Sequence, residues 1–388
     1  MLSAHNIKSI SEPNHRLVMN IIRIYHEISG AEISRISGLQ PSTIVYILRR
    51  LERNGIIRFS RTGASTLRGG KKPNLWQIIP GIGKILGTEI LGNKIRYVII
   101  DFAGNLIEEE EQIISGELKG ENIVRILVET INKIFNGQPV DSFLGVCLGV
   151  PGMVDTKNGI VHHSSLLSIS NCNLALLLQE KLRIPVYIIN DANAGALSIK
   201  WFYKSTQKIP ENIIYLTYNN GSVNLGSGII VNHQLYHGAS GFAGEIFRPL
   251  PSLYEIYTAG TKEMGEDHLI VRTINPAKSL DFQVVCKLAQ QGCELSAFIV
   301  NYIVDFISDE IVRLTGLLNP DQIVLGGDIT CSRTLLEKHI IPTVKKRITA
   351  LLKLTLPLPR ITFSEFREFS VSMGAAAYIL STILEPFD

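Results

Sequence analysis

The sequence predicts an α/β protein in two parts, a small, mainly helical domain over residues 1–80 and a larger domain over 81–388 in which strands and helices alternate. Three observations predict this. The formal charge divides near residue 80, with twelve Lys/Arg against four Asp/Glu before it and 26 against 31 after it. Helical spacing of apolar residues dominates up to Gly55. From Gly81 onward β-type apolar runs are separated by helical stretches, and the pattern restarts near residue 213, so two lobes around a cleft are expected.

Several classes are excluded at once. A chain of 388 residues exceeds one compact core, and nothing approaches the roughly 18 consecutive apolar residues of a membrane span. The opening stretch MLSAHNIKSISEPNH lacks the basic-then-apolar order of a signal peptide. Five cysteines (Cys147, Cys172, Cys286, Cys293, Cys331) fall at no paired spacing, which places the chain in a reducing cytoplasm.

In order, residues 13–29 carry Leu17, Ile21, Ile24 and Ile28 at three- and four-residue spacing after Pro13, an amphipathic first helix. A short helix over 32–37, a turn at Gly38 and Leu39, and a longer helix from Pro41 to Arg53 follow, which is the helix-turn-helix plan. In that longer helix Ile44, Ile47, Leu48 and Leu51 form the inward stripe. Ser42, Thr43, Val45, Tyr46 and Arg49 are left outward, with Gln40 just before them, to face a major groove. After Gly55 two short strands flank a basic, glycine-rich tip from Arg61 through Arg68 and Lys71 to Lys72. Such a tip is a wing whose cations suit phosphate or minor-groove contacts. Net charge alone would fit any solvated basic face, but three helices, a wing and a local excess of cations together point to double-stranded DNA.

Beyond Gly81 the runs KILGTEIL and KIRYVII read as strands, 121–135 as a helix and SFLGVCLGV as a strand entering a glycine-rich loop. LALLLQEKL reads as a helix and PVYIINDANAGALSI as a strand feeding a helix. The second half gives IIYLTYNN, GSGIIV, a helical run from Leu288 through Leu318, QIVLGGD and a closing helix near GAAAYILSTIL.

The stretches GVPGMVD (149–155), INDANAGAL (189–197), GSGIIVNHQLYHGASGFAGEI (226–246), NPDQIVLGGDI (319–329) and MGAAAYIL (373–380) resemble the ROK family of repressors and sugar kinases. The resemblance spans essentially the whole chain and, with the N-terminal reader, is closest in character to the sugar-responsive, xylose-repressor-like branch. It implies an actin-like ATPase (ribonuclease H-like) fold. Lobe one would run over about 81–192 with a C-terminal helix at about 373–388, and lobe two over about 193–372.

The resemblance also implies roles. In the family's kinases the aspartate of the Asn-Asp-x-Asn motif, here Asp191, accepts the proton of the attacking hydroxyl. The first phosphate motif, Asp-Ile-Gly-Gly-Thr in kinases, reads Glu89-Ile90-Leu91-Gly92-Asn93 here. Glu89 lengthens the magnesium arm, Leu91 puts bulk where a phosphate sits, and Asn93 lacks the hydroxyl. The second phosphate loop, 218–228, is longer and poorer in glycine, whereas Gly326-Gly327 survive. ATP use and catalysis are therefore not expected, and Asp191 is a vestigial base.

Sugar-binding positions carried over are Gly152, Asn190, Asp191, Glu245 and Glu255, a convergence of groups that can bond several hydroxyls at once. Each alone could cap a helix or line a loop. Arg248 stands where the family has a zinc- and sugar-binding histidine, and the family's cysteine loop is absent. No zinc is expected, because a tetrahedral site needs about four N or S ligands. Arg248 could favour an acidic effector, or pair with Glu245 or Glu255. His162-His163 and the pair His233 and His237 lack enough partners for a metal. No metal or other cofactor is expected.

The leading expectation is a DNA-binding regulator, a repressor of sugar-metabolism genes, acting as a homodimer or dimer of dimers on a palindromic operator with a small sugar as effector. A sugar kinase with an N-terminal adaptor and a partner-controlled scaffold are the alternatives.

Overall fold

The computed structural model describes residues 12–64, 72–114, 116, 118–202, 209–219, 225–265, 270, 280–352 and 358–385. The expected wing residues Arg68 and Lys71, and residues 220–224 of the second loop, lie outside them. The chain divides into two compact units, one of residues 1–190 with 375–388 and one of 191–374. The reader falls within the first of these units.

In the first unit, α1 (Pro13–Tyr25), β1 (Ile28–Ser29), α2 (Gly30–Ser37) and α3 (Pro41–Arg53) form the helix-turn-helix, and β2 (Ile57–Thr62) and β3 (Asn74–Ile78) form the wing. Helix α1 is shorter than expected. His26 takes φ 59°, and Ile28 enters a strand opposite Trp76 instead of continuing the helical stripe. The buried face of α1 accordingly runs through His15, Val18, Met19, Ile21 and Ile22, while Ile24 is 48 % exposed. Ser29 caps α2 by accepting from Glu32 N while the Glu32 carboxylate returns to Ser29 N, and Gly38 ends it in the left-handed conformation. Helix α3 buries Ile44, Ile47, Leu48 and Leu51, each contributing about 1.5–3 kcal/mol if fully transferred from water.

Arg16 explains why the reader groups with the larger body. Its Nη1 donates at 3.1 Å to both Thr382 O and Glu385 O, near the end of the C-terminal helix Ser370–Leu384. Carbonyls of a helix's last turn have no partner within the helix, so a guanidinium there satisfies them and complements the helix dipole.

The first unit's main sheet is built from β4 (Lys84–Leu91), β5 (Lys94–Asp101), β6 (Leu106–Ile113), β7 (Phe143–Val150) and, beyond a small antiparallel sheet of β8 (Met153–Asp155), β9 (Ile160–Ser164) and β10 (Ile169–Cys172), β11 (Val186–Asn190). Its order is β11-β7-β4-β5-β6, with β4, β7 and β11 parallel and the β4-β5-β6 meander antiparallel. Strand β7 is buried throughout its length, as a central parallel strand must be. Helices α4 (Ile123–Phe135) and α5 (Leu174–Leu182) bury Leu127, Ile131, Leu174 and Leu178 in the same core.

In the second unit, α6 (Asp191–Phe202) leads to β12 (Ile213–Tyr218), β13 (Gly226–Val231) and β14 (Gln234–Leu235). There follow α7 (Leu253–Met264), α8 (Phe282–Gln290), α9 (Glu294–Leu318), β15 (Gln322–Gly327), α10 (Arg333–Leu352) and β16 (Arg360–Phe363). The sheet order is β14-β13-β12-β15-β16, a meander followed by two parallel strands, the same plan as in the first unit. The helical run expected from Leu288 through Leu318 is two helices, broken where Gly292 takes φ 89°. No helix among the described residues is long and apolar enough to cross a membrane.

Candidate DNA-reading face and effector site

On the reader, the outward positions of α3 stand clear of the core. Gln40, Ser42, Val45, Tyr46 and Arg49 are exposed and Thr43 is half-buried. Val45 and Tyr46, adjacent on this outward face, expose 48 % and 59 % of their surface. Arg49 makes no ion pair among the described residues, whereas Arg50 is held by Glu12 at 2.8 Å. In the wing, Arg61 is exposed but pairs with Glu27 at 2.7 Å, and Lys72 is exposed.

In the first unit, Glu89 is built into the main sheet. Glu89 is 1 % exposed, and its cross-strand neighbour on β5 is Arg96, Nη1 to Oε2 3.8 Å. Across β5 and β6 Arg96 faces Glu111 and donates through Nε at 2.7 Å, while Lys94 Nζ reaches the same carboxylate at 2.8 Å. The guanidinium's two ion pairs thus run along the register of three adjacent strands, the arrangement in which cross-strand charges stabilise a sheet. Leu91 closes β4 opposite Lys94 over a two-residue turn of Gly92 and Asn93. Asn190 is buried at the end of β11, and its Nδ2 donates to Gly152 O at 3.0 Å. Gly152 holds φ 121° with the carbonyl of His163 only 2.3 Å from where a Cβ would stand, so no other residue fits there.

In the second unit, Asp191 opens α6 and remains partly accessible. Burial pushes its carboxyl up to about 7, the Ala192 N–H at 2.8 Å opposes that rise, and the nearby Glu245 carboxylate adds to it. Glu245 is itself raised by burial. Two carboxyls of raised pKa, with no cation among the causes of either shift, form a group able to donate and to accept hydrogen bonds. Glu245 lies in an irregular segment in which Gly244 takes φ 92° and packs against Ser227 O, 2.1 Å from the place of an absent Cβ.

The other two expected residues do something else. Glu255 is exposed and serves as the N3 residue of α7, its Oε2 accepting from Ser252 N and Ser252 Oγ at 2.8 Å each. Those bonds hold its carboxyl below the usual range. Arg248 pairs with neither Glu245 nor Glu255. Its Nη1 donates to Glu310 Oε1 at 2.7 Å, its Nη2 reaches Asp309 Oδ2 at 3.5 Å, and the guanidinium lies 4.3 Å over the Phe306 ring. A guanidinium so held does not fit a zinc site, and among the described residues no group of three or more His, Cys, Asp or Glu could hold a metal. His163 instead lies between Ser170 Oγ and Ser165 Oγ at 3.3 and 3.1 Å. Asp309 and Glu310 are the residues that sequence reasoning missed. The one signal for them was an acidic pair one turn after Asp305 on a largely apolar helix.

The two mixed sheets of one repeated strand order that follow the winged helix-turn-helix make the actin-like fold shared by solved transcriptional regulators and sugar kinases. The ROK family pattern matches residues 85–247 and 261–382, and the chain belongs to the ROK family. It is 26 % identical to the xylose repressor of Caldicellulosiruptor bescii, over 97 % of each chain. It is 23 % identical to the DNA-binding transcriptional dual regulator NagC of Escherichia coli, over 98 % of this chain and 95 % of that one. Among solved structures, a ROK family transcriptional regulator homologous to the Escherichia coli MLC protein superposes with a TM-score of 0.76 at 20 % identity, covering 98 % of this chain and 97 % of that one. A ROK family glucokinase from Streptomyces griseus, in complex with glucose and AMPPNP, superposes with a TM-score of 0.66 at 19 % identity, covering 76 % of this chain and 99 % of that one.

Proposed function

We propose that the chain is a sugar-responsive DNA-binding repressor, in which Gln40, Ser42, Thr43, Val45, Tyr46 and Arg49 read base edges and Asp191 and Glu245 bind the hydroxyls of a small sugar. The observation that carries it is the outward face of α3, where an arginine with no ion pair among the described residues and an exposed tyrosine stand on a helix whose other face is fully buried. Lys72 adds a phosphate contact, and Arg61 stands ready for another for which Glu27 competes. The relatives named xylose repressor and N-acetylglucosamine repressor make a pentose or an N-acetylated hexose the first effectors to test.

The reader acts as a pair, because a dimer places two recognition helices one DNA turn, about 34 Å, apart on a palindromic operator. Sugar controls that spacing only through unequal affinity for two conformations. The C-terminal helix offers a covalent route, since it begins at Ser370 in the second unit and ends at Arg16 of the reader. The protein works in the cytoplasm, without zinc or ATP. Glu89 is committed to Arg96 in place of a magnesium-organising carboxylate, and Leu91 and Asn93 supply neither the small side chain nor the hydroxyl of a phosphate cradle.

Gel shifts with the DNA flanking its own coding region, with and without D-xylose and N-acetylglucosamine, test this reading. A specific complex altered by one sugar supports it, and no affinity for duplex DNA refutes it. One observation favours the second reading, a sugar kinase: a carboxyl raised to about 7 is suited to a general base. ATP-dependent phosphate transfer to either sugar, followed by ADP release, would establish that reading instead.

A further inference from the structure

We propose that Arg248 is the positioning residue of the effector site, fastening the segment that carries Glu245 to helix α9 where the family resemblance implies a zinc ligand. The inference rests on the reading of Glu245 as a sugar ligand. Between β14 and α7, residues 236–252 contain neither helix nor strand, so no backbone ladder fixes Glu245. Gly244 against Ser227 O sets one end, and Ile246 and Leu250 pack into the second unit's core.

Arg248, three residues after Glu245, supplies the polar fastening. It bonds Glu310 and Asp309 and stacks on Phe306, three neighbouring residues of α9. Glu310 is 5 % exposed, and its other cation, Arg313, stands 3.9 Å away against 2.7 Å for Arg248. Losing Arg248 would leave a sunken carboxylate short of its closest counter-charge, an arrangement that proteins do not tolerate cheaply. Asp309 is held from its other side by Arg347 of α10 at 2.9 Å, and Arg347 also grips Asp305 at 2.8 Å. The fastening therefore joins one irregular segment to two packed helices through alternating charges.

A metal holds such a segment by drawing several ligands to one point. A guanidinium achieves a comparable result by combining a planar fork for carboxylates with a face for an aromatic ring. Its charge does not depend on pH in the physiological range, and a chelator cannot remove it.

Hydrogen exchange of the full chain, followed by mass spectrometry over 236–252, reads the fastening directly. Titration with D-xylose and N-acetylglucosamine reads its effect on the site. Arg248→Ala should speed exchange across this segment roughly tenfold, leave peptides of α3 and β7 unchanged, and weaken sugar binding by about the same factor. Arg248→Lys should rescue little, because lysine lacks the fork and the stack, whereas the exchanged pair Arg248→Glu with Glu310→Arg should recover much of what Arg248→Glu alone loses. EDTA and 1,10-phenanthroline should change nothing. Unaltered exchange in Arg248→Ala, a pair no better than the single variant, or a segment loosened by chelator would overturn the fastening. A loosened segment with unchanged sugar affinity would overturn its positioning role. Should the unaltered protein bind neither sugar, the effector reading fails while the exchange result still decides the fastening.

Discussion

Glu89 on β4 and Asp191 at the start of α6 occupy the two carboxylate positions that the kinase resemblance singles out, and their surroundings are opposite. Glu89 is fully buried beside Arg96, which a second carboxylate, Glu111, also holds. Asp191 keeps part of its surface open, and its charged neighbour is another carboxyl. A buried carboxylate facing a cation has its charge balanced within the protein and serves the fold. One facing a like charge is held in an unfavourable state that an outside ligand can relieve, so strained titration marks function more often than paired charge does. The reader shows the same division between Arg61, paired with Glu27, and Arg49, which makes no ion pair among the described residues on the outward face of α3.

The largest effect should separate the two carboxylates. Asp191→Ala should lower sugar affinity by at least about 100-fold, the loss of two or so hydrogen bonds to a polar ligand, with the fold retained. Glu89→Gln should cost only about 1 kcal/mol of stability, because Arg96 keeps Glu111 at 2.7 Å when the 3.8 Å pair is lost, and alter sugar affinity less than about twofold. Calorimetric titration beside urea denaturation measures both. If Glu89→Gln abolished binding while Asp191→Ala did not, the assignment of roles would be reversed.

The pH dependence of stability sharpens the contrast. Asp191 titrates near 7 in the folded protein and near its ordinary 3.8 when unfolded. The folded state therefore holds the extra proton between those values, and stability from this group falls as pH rises through that window. Asp191→Asn, which resembles the protonated acid, should gain on the unaltered protein from about pH 4 to about pH 7 and hold a constant advantage above. Thermal melts at several pH values check this, and a difference independent of pH would remove the raised carboxyl from the account.

On the reader, Tyr46→Ala or Arg49→Ala should each weaken operator binding by roughly tenfold, the worth of about 1–2 kcal/mol per base contact, and leave sugar affinity unchanged. Gel shifts under fixed salt measure the first and calorimetry the second. Loss of both activities together would mean that the outward face of α3 supports the fold instead of reading DNA.

What was legible in the sequence follows from how local each signal is. The inward stripe of α3 was fully readable, because Ile44, Ile47, Leu48 and Leu51 repeat with the helix and nothing distant competes. The first helix was misread at its end. Ile28 fits a helical stripe equally well, and its pairing with Trp76 across 48 positions of chain is invisible to a local pattern. Asp191 and Glu245 could be named from motif resemblance, but the partner of Arg248 could not. Sequence proximity pointed to Glu245 and Glu255, whereas the fold brings Asp309 and Glu310 from more than 60 positions away. Glu255 shows the reverse case, since Ser252 three residues earlier already spelled a capping box.

The smallest effect tests whether a paired wing arginine is withheld from DNA. Arg61 is two-thirds exposed, and Glu27 holds it through Nη2 at 2.7 Å and Nε at 2.8 Å while also accepting from Ser60 Oγ. These bonds keep the Glu27 carboxyl below its usual range, so it is charged throughout the physiological span. A phosphate must compete with that carboxylate for the guanidinium, and an exposed pair of this kind is weak because solvent screens it. Glu27→Gln should therefore raise DNA affinity by no more than about two- to threefold. It should also steepen the dependence of log affinity on log salt by about 0.9, the signature of one more phosphate contact. Binding isotherms across a salt series measure both quantities. If neither changed, Arg61 would not reach the backbone at all, and the wing's contribution would have to come from Lys72 and the tip beyond it.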